Sequence, residues 1–195
     1  MTYRVAVAVS GRGSNLIALC DALATDDSAR VVLVIADRPA LALDGARDRG
    51  IPTHLLADYR DGAEWRRLLA AAACDALVLA GYLRLVPADV VATMRGRIIN
   101  VHPALLPRYG GQRMYGARVH QAVIAAGDRE SGATVHLVDE VYDRGTVLAQ
   151  GRITVPANAT VATLAAAVLT VEHRLLPAAV RAAARAGHPV PFEFT

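Results

Sequence analysis

The segment IINVHPALLPRYGG, residues 98–111, sets an amide, Asn100, and an imidazole, His102, two positions apart in a run that otherwise suits a buried strand. A period of two turns both side chains to one face of that strand. Prolines at 103 and 107, then Gly110 and Gly111, stop regular structure just beyond them. An amide N–H can polarise a carbonyl and stabilise a developing oxyanion. An imidazole can carry a proton between an amine and a leaving group near pH 7. Asp143 lies in the glycine-containing segment YDRGT, residues 142–146, which could fold back over the pair. A carboxylate there would orient the imidazole, raise its pKa and favour its protonated form. Asn100, His102 and Asp143 would then form an acyl-transfer site that needs no covalent nucleophile. A histidine beside a proline can instead be structural, bonded to a nearby carbonyl, and Asn100 can simply cap a turn.

A second candidate is VAVAVSGRGSNL, residues 5–16, where Gly11, Arg12, Gly13, Ser14 and Asn15 separate an apolar run from a helix-like one. Glycines let backbone approach a ligand, and free N–H groups opening a helix suit a phosphate. The spacing is not GxGxxG, because Leu16 stands where the third glycine would be, and no Walker lysine follows. The alternative is a capped turn with Ser14 or Asn15 as N-cap.

Other chemistries find less support. His120 and His136 lack HxH or HExxH spacing, so no metal is expected. No GxSxG elbow is present. Cys20 and Cys74 show no CxxC pattern and read as buried, reduced thiols.

The elements that must position these groups follow from the apolar pattern. RVAVAV (4–9), RVVLVIA (30–36), DALVLAG (75–81) and RIINVH (97–102) are short, largely apolar runs typical of parallel strands covered on both faces. Helical spacing appears at 15–24, 41–50 and 62–73, and IPTHLL (51–56) suits a short edge strand. This alternation predicts an α/β fold, an open and mainly parallel twisted sheet with helices on both faces. After residue 111 a helix at 117–127 precedes two strands, 132–140 and 147–155, close enough to be antiparallel neighbours. Residues 160–186 should form one or two helices, with Pro177 as a kink or break.

With 195 residues, 54% hydrophobic, the chain suits one globular domain, 1–195. A net charge of +3, with arginines dispersed, favours small anionic ligands over a nucleic-acid partner. No targeting run opens the chain, and Glu172, His173, Arg174 and Pro177 interrupt its longest apolar stretch, so a cytoplasmic protein without a membrane span is expected, as monomer or homodimer.

SGRGSNL, INVHPALLPRYGG and DRGTVLAQ together resemble the folate-dependent formyltransferases, over essentially the whole chain. The Asn-x-His-Pro-x-Leu-Leu-Pro segment is the specific part. The resemblance implies a Rossmann-like fold and direct transfer of formyl from 10-formyltetrahydrofolate, a co-substrate, to the amine of 5′-phosphoribosylglycinamide in purine (IMP) biosynthesis. It implies that Gly11, Arg12, Gly13, Ser14 and Asn15 hold the acceptor's phosphate, and that Glu172 meets its ribose. Asn100 would polarise the formyl oxygen, His102 would be the acid and base, and Asp143 would raise the pKa of His102. Leu83, Arg84, Leu85 and Val86 would line the pterin pocket, closed by Asp139, Glu140, Val141 and Tyr142. The segment after LPRYGG, QRMYGARVHQAV, is a few residues longer than the commonest family form, Ala104 replaces a frequent serine, and Gly62 replaces an arginine for which Arg60 is the stand-in. The alternatives are a formyltetrahydrofolate hydrolase and a non-catalytic phosphate-binding α/β module. A tRNA formyltransferase would need a further C-terminal barrel.

Overall fold

The computed structural model describes residues 2–25 and 27–194. Among these residues, seven strands form one sheet: β1 (Tyr3–Val9), β2 (Ala29–Ala36), β3 (Thr53–Leu55), β4 (Ala76–Leu79), β5 (Ile98–His102), β6 (Glu130–Leu137) and β7 (Val147–Thr154). Their spatial order is β3-β2-β1-β4-β5-β6-β7. The first five are mutually parallel, while β5–β6 and β6–β7 pair antiparallel. The expected strand pair at the C-terminal end is therefore joined, through β6, to the strand that carries Asn100 and His102.

Among the described residues, six helices cover the sheet: α1 (Ser14–Leu23), α2 (Leu41–Arg47), α3 (Gly62–Ala71), α4 (Ala88–Thr93), α5 (Ala117–Ala125) and α6 (Val161–Ala186). Alternation within the strands builds two cores. Val5, Val7, Val78, Ile99 and Val101 face a layer that includes residues of α1, α2, α5 and α6, whereas Ala6, Ala8, Leu77, Leu79 and Ile98 face α3 and α4. Fully buried strands of this kind need no polar face, which is why they read as continuous apolar runs. The short α4 was not legible in the pattern; Val90 and Val91 are its only buried residues, too few to show a period.

Pro177 neither breaks nor ends α6, which runs through it for 26 residues from a Thr160–Thr163 capping box to a left-handed Gly187. Proline removes one helix N–H, but Leu175, Leu176, Ala179 and Val180 on both sides of it are buried in the core, and this packing keeps the helix continuous. By length and composition α6 could cross a membrane, yet here it lies on β6, β7, α1 and α5 as a core helix. Cys20 and Cys74 are free and half-buried rather than fully buried. Burial pushes both thiols up, Cys20 to about 11, so neither is poised as a nucleophile.

Candidate active site

The sheet order reverses at β1, whose neighbours are β2 and β4, and ligands of open α/β sheets bind beyond the carboxyl ends of strands at such a point. A cavity of about 540 Å³ opens there. It runs from Arg12, Ser14, Asn15 and Glu172, past Asn100 and His102, to Leu83, Arg84, Leu85 and Val86, with Asp139, Val141, Tyr142 and Asp143 also on its wall. Gly11 and Gly13 shape the first loop without lining the cavity, and Glu140 borders an adjoining groove.

Gly13 is the N-cap of α1 and is left-handed, with φ +81°. A Cβ there would sit 2.5 Å from Ala42 Cβ and 2.9 Å from its Cα, so α2 leaves no room for a side chain. Neither Ser14 nor Asn15 caps the helix. Asn15 instead turns inward and donates from Nδ2 to Glu172 Oε2 at 2.7 Å, across 157 residues of sequence. Glu172 is 7% exposed, and burial raises its pKa against the opposing effect of Asn15. Asn15 Oδ1 is buried without a partner. The first turn of α1 thus presents unsatisfied N–H groups, suited to an anion, beside a buried carboxyl and amide suited to hydroxyls.

At the end of β5, the antiparallel register with β6 sets Asn100 opposite His136 and His102 opposite Thr134. Asn100 Nδ2 lies 3.0 Å from His136 Nε2, while His136 Nδ1 meets the Leu137 carbonyl at 2.8 Å. Donation from Nδ1 to that carbonyl leaves Nε2 to accept from the Asn100 amide. Thr134 donates to the Ala104 carbonyl at 2.6 Å and accepts from Leu106 N at 3.0 Å, which ties down the chain leaving His102. Gln150 reinforces the tie through Leu106 O, at 2.9 Å.

Asp143 does fold back. Its Oδ2 lies 3.6 Å from His102 Nδ1 and accepts from Gly111 N–H at 2.8 Å, and its Oδ1 lies 3.5 Å from His136 Nε2. His102 Nε2 meets the Tyr109 carbonyl at 2.8 Å. Asp143 and Tyr109 are both left-handed, φ +55° and +57°, so the two groups that face His102 sit on uncommon backbone. Burial of Asp143 works to raise its pKa, but the His136 contact, the charge of His102 and the Gly111 N–H together carry it below the usual carboxylate range.

The expected elevation of the His102 pKa is not found. His102 is 4% exposed, and burial pushes its pKa below the ordinary value, outweighing the upward pull of Asp143. Removing an imidazolium from water is the larger effect, because Asp143 stands 3.6 Å away rather than in a tight ion pair. His102 is therefore neutral at pH 7 before substrates bind, fit first to accept a proton.

At the other end, Ser10 Oγ accepts from Leu83 N at 2.9 Å and fixes the 82–86 turn to the end of β1. The Tyr82 ring meets Trp65 edge-on, 5.7 Å between centroids, anchoring that turn on α3. Arg84 reaches the buried Asp37, Nε to Oδ2 3.4 Å, and stacks over Tyr59 at 4.9 Å; Arg60 covers the same ring at 4.9 Å. Leu83, Leu85, Val141 and Tyr142 are exposed apolar walls. Glu140 points elsewhere, 3.8 Å from Arg95. After Gly111 the chain runs along the cavity, which Arg113, Met114, Tyr115 and Gly116 border.

Sequence reasoning weighed His136 and His120 only as metal ligands and assigned nothing to Thr134. The signal for His136 and Thr134 was their period-two placement in ATVHL, matching that of Asn100 and His102, but it acquires meaning only once the register between the two strands is known.

A sheet that switches at β1, an N–H-rich helix start and an amide, imidazole and carboxylate at one strand end set groups able to hold an anion, donate to an oxyanion and move a proton around one cavity. The formyl transferase family model matches residues 3–180, and the chain belongs to that family. Among its relatives is the chloroplastic phosphoribosylglycinamide formyltransferase of Arabidopsis thaliana, 40% identical over 182 residues that cover 88% of this chain and 62% of that protein. The chain thus spans about three fifths of that relative's length. Escherichia coli (strain K12) phosphoribosylglycinamide formyltransferase is 36% identical over 181 residues, 89% of this chain and 83% of that one. The crystal structure of phosphoribosylglycinamide formyltransferase from Anaplasma phagocytophilum superposes with a TM-score of 0.88 at 32% identity, covering 95% of this chain and 88% of its own.

Proposed function

We infer that the chain transfers the formyl group of 10-formyltetrahydrofolate to the amine of 5′-phosphoribosylglycinamide, a step of purine biosynthesis, with residues 1–195 acting as one formyltransferase domain. The observation that carries this reading is the continuity of one cavity from the α1 N-terminus, past Asn100, His102 and Asp143, to the apolar 82–86 turn. An anion, a reacting centre and a flat apolar ring system are accommodated in that order. Its relatives' names point the same way.

In this reading Gly11, Arg12, Gly13, Ser14 and Asn15 hold the phosphate, and Glu172 bonds the ribose hydroxyls. Leu83, Arg84, Leu85 and Val86, closed by Asp139, Val141 and Tyr142, hold the pterin, while Glu140 lies outside that closure toward Arg95. Arg60, with Arg84 across Tyr59, holds the folate's acidic tail. The acceptor amine attacks the formyl carbon; a C–N bond forms and the carbonyl electron pair moves to oxygen, where the Asn100 amide donates. Neutral His102 takes a proton from the new ammonium centre. As imidazolium beside Asp143 it gives that proton to N10 of the folate while the C–N10 bond breaks and the carbonyl re-forms. The lowered pKa of His102 supports this order of events, because it starts the cycle as a base. A reducing, cytoplasmic setting is supported by two unpaired thiols.

The test is the absorbance of 10-formyltetrahydrofolate with and without phosphoribosylglycinamide. Loss of donor only when acceptor is present is the expected result. Equal loss without acceptor would replace the transferase by a hydrolase, and no loss in either case would leave only a binding module.

A further inference from the structure

His120, on α5, is 5% exposed, and its Nδ1 is buried without a hydrogen-bond partner. Leaving a buried polar atom unpaired is unfavourable, and a catalytic role or a bound partner is among the reasons such an atom persists. The ring borders the cavity already described, close enough to His102 to feel its charge. Its layer decides which half of the cavity it serves. α5 packs on α6, in the core layer shared with α1, and those helices carry Glu172, Ser14 and Asn15. The 82–86 turn belongs instead to the opposite layer, through Tyr82 and Val86. His120 thus stands on the acceptor's side of the reacting centre.

We propose that His120 binds the attacking amine of the acceptor and takes the proton that this amine carries as an ammonium ion. The inference rests on the acceptor reading above. One N–H bond of the ammonium breaks and one forms on the neutral imidazole; the freed lone pair attacks the formyl carbon, and the imidazolium later returns its proton to water. His102 is thereby kept for the second proton, the one released after attack. The titratable and charged groups around this half of the cavity are His102 from β5, Arg113 and Tyr115 from the β5–α5 loop, Glu172 from α6, Arg12 from the β1–α1 loop, and Asp143 beyond His102. Burial, then the charge of His102, lowers the pKa of His120, which leaves it neutral and receptive at pH 7. An α-amino group titrates at about 8, so at pH 7 roughly nine in ten acceptor molecules arrive protonated.

The experiment measures kcat/KM for phosphoribosylglycinamide between pH 6.5 and 9 in the wild type, His120→Gln and His120→Asn, with circular dichroism and the KM for the folate donor as controls. Either folded variant is expected to lose about 10-fold in kcat/KM at pH 7, where solution supplies only about a tenth of the amine free, to keep the donor KM, and to recover most of the loss by pH 9. An unchanged kcat/KM, or a deficit that does not vary with pH, overturns the role of His120. Wild-type turnover in the same assay tests the acceptor reading separately: its absence overturns that reading itself.

Discussion

Asn100, His102 and Asp143 work within limits set by burial. Asp143 is held as a carboxylate, but its pull on His102 is weaker than the loss of water around that ring. A neutral imidazole with its Nε2 on the Tyr109 carbonyl and its Nδ1 toward Asp143 is oriented without being pre-charged. Asn100 is held by His136, so its remaining amide hydrogen is the one free for an oxyanion. Asn100→Ala is expected to lower kcat about 10²–10³-fold, as for removal of an oxyanion donor, and His102→Ala about 10²–10⁴-fold, with unfolding midpoints near wild type. Wild-type kcat in either variant would show that the reacting centre lies elsewhere in the cavity.

At the scale of elements, the site depends on where strands end and on how the turns after them are held. The turn after β1 needs Gly13 both for its left-handed backbone and because α2 approaches so closely. Gly13→Ala is expected to destabilise the fold by about 1–3 kcal/mol through strain and collision and to raise the KM for the acceptor while sparing that for the donor. Urea unfolding and steady-state kinetics check both. A variant as stable as wild type would mean that α2 gives way easily. The turn after β4 is held differently, by Ser10 and by the Trp65–Tyr82 contact, so a change at Gly13 leaves the 82–86 end of the cavity in place.

Over the whole molecule, burial leaves His102, His120 and His173 with pKa values below the ordinary histidine value. Below a pH of about 6.5 the unfolded chain takes up protons at these rings that the folded chain does not. Stability from them is therefore complete above that pH and is lost as pH falls. Glu172, with its raised pKa, acts in the opposite direction, but it is one group against three. The urea midpoint is expected to be lower at pH 5.5 than at pH 7.5, and a midpoint that holds or rises on acidification would show that these histidines are not the dominant titrating groups.

What the sequence determined by itself was everything carried by local periodicity and local backbone preference. Apolar runs marked the central strands, two-residue spacing put Asn100 and His102 on one face, and the glycine loop announced a helix start just beyond the first strand. Tertiary structure alone decided what those groups meet. Asn15 finds Glu172 because α6 crosses α1, and His136 finds Asn100 because β6 pairs with β5 in one particular register. The direction of the His102 pKa was likewise out of reach, since a sequence shows that a carboxylate is available but not how much water is excluded around the ring. Periodicity is a property of a few neighbouring residues, whereas register and desolvation are set by elements far apart in the chain.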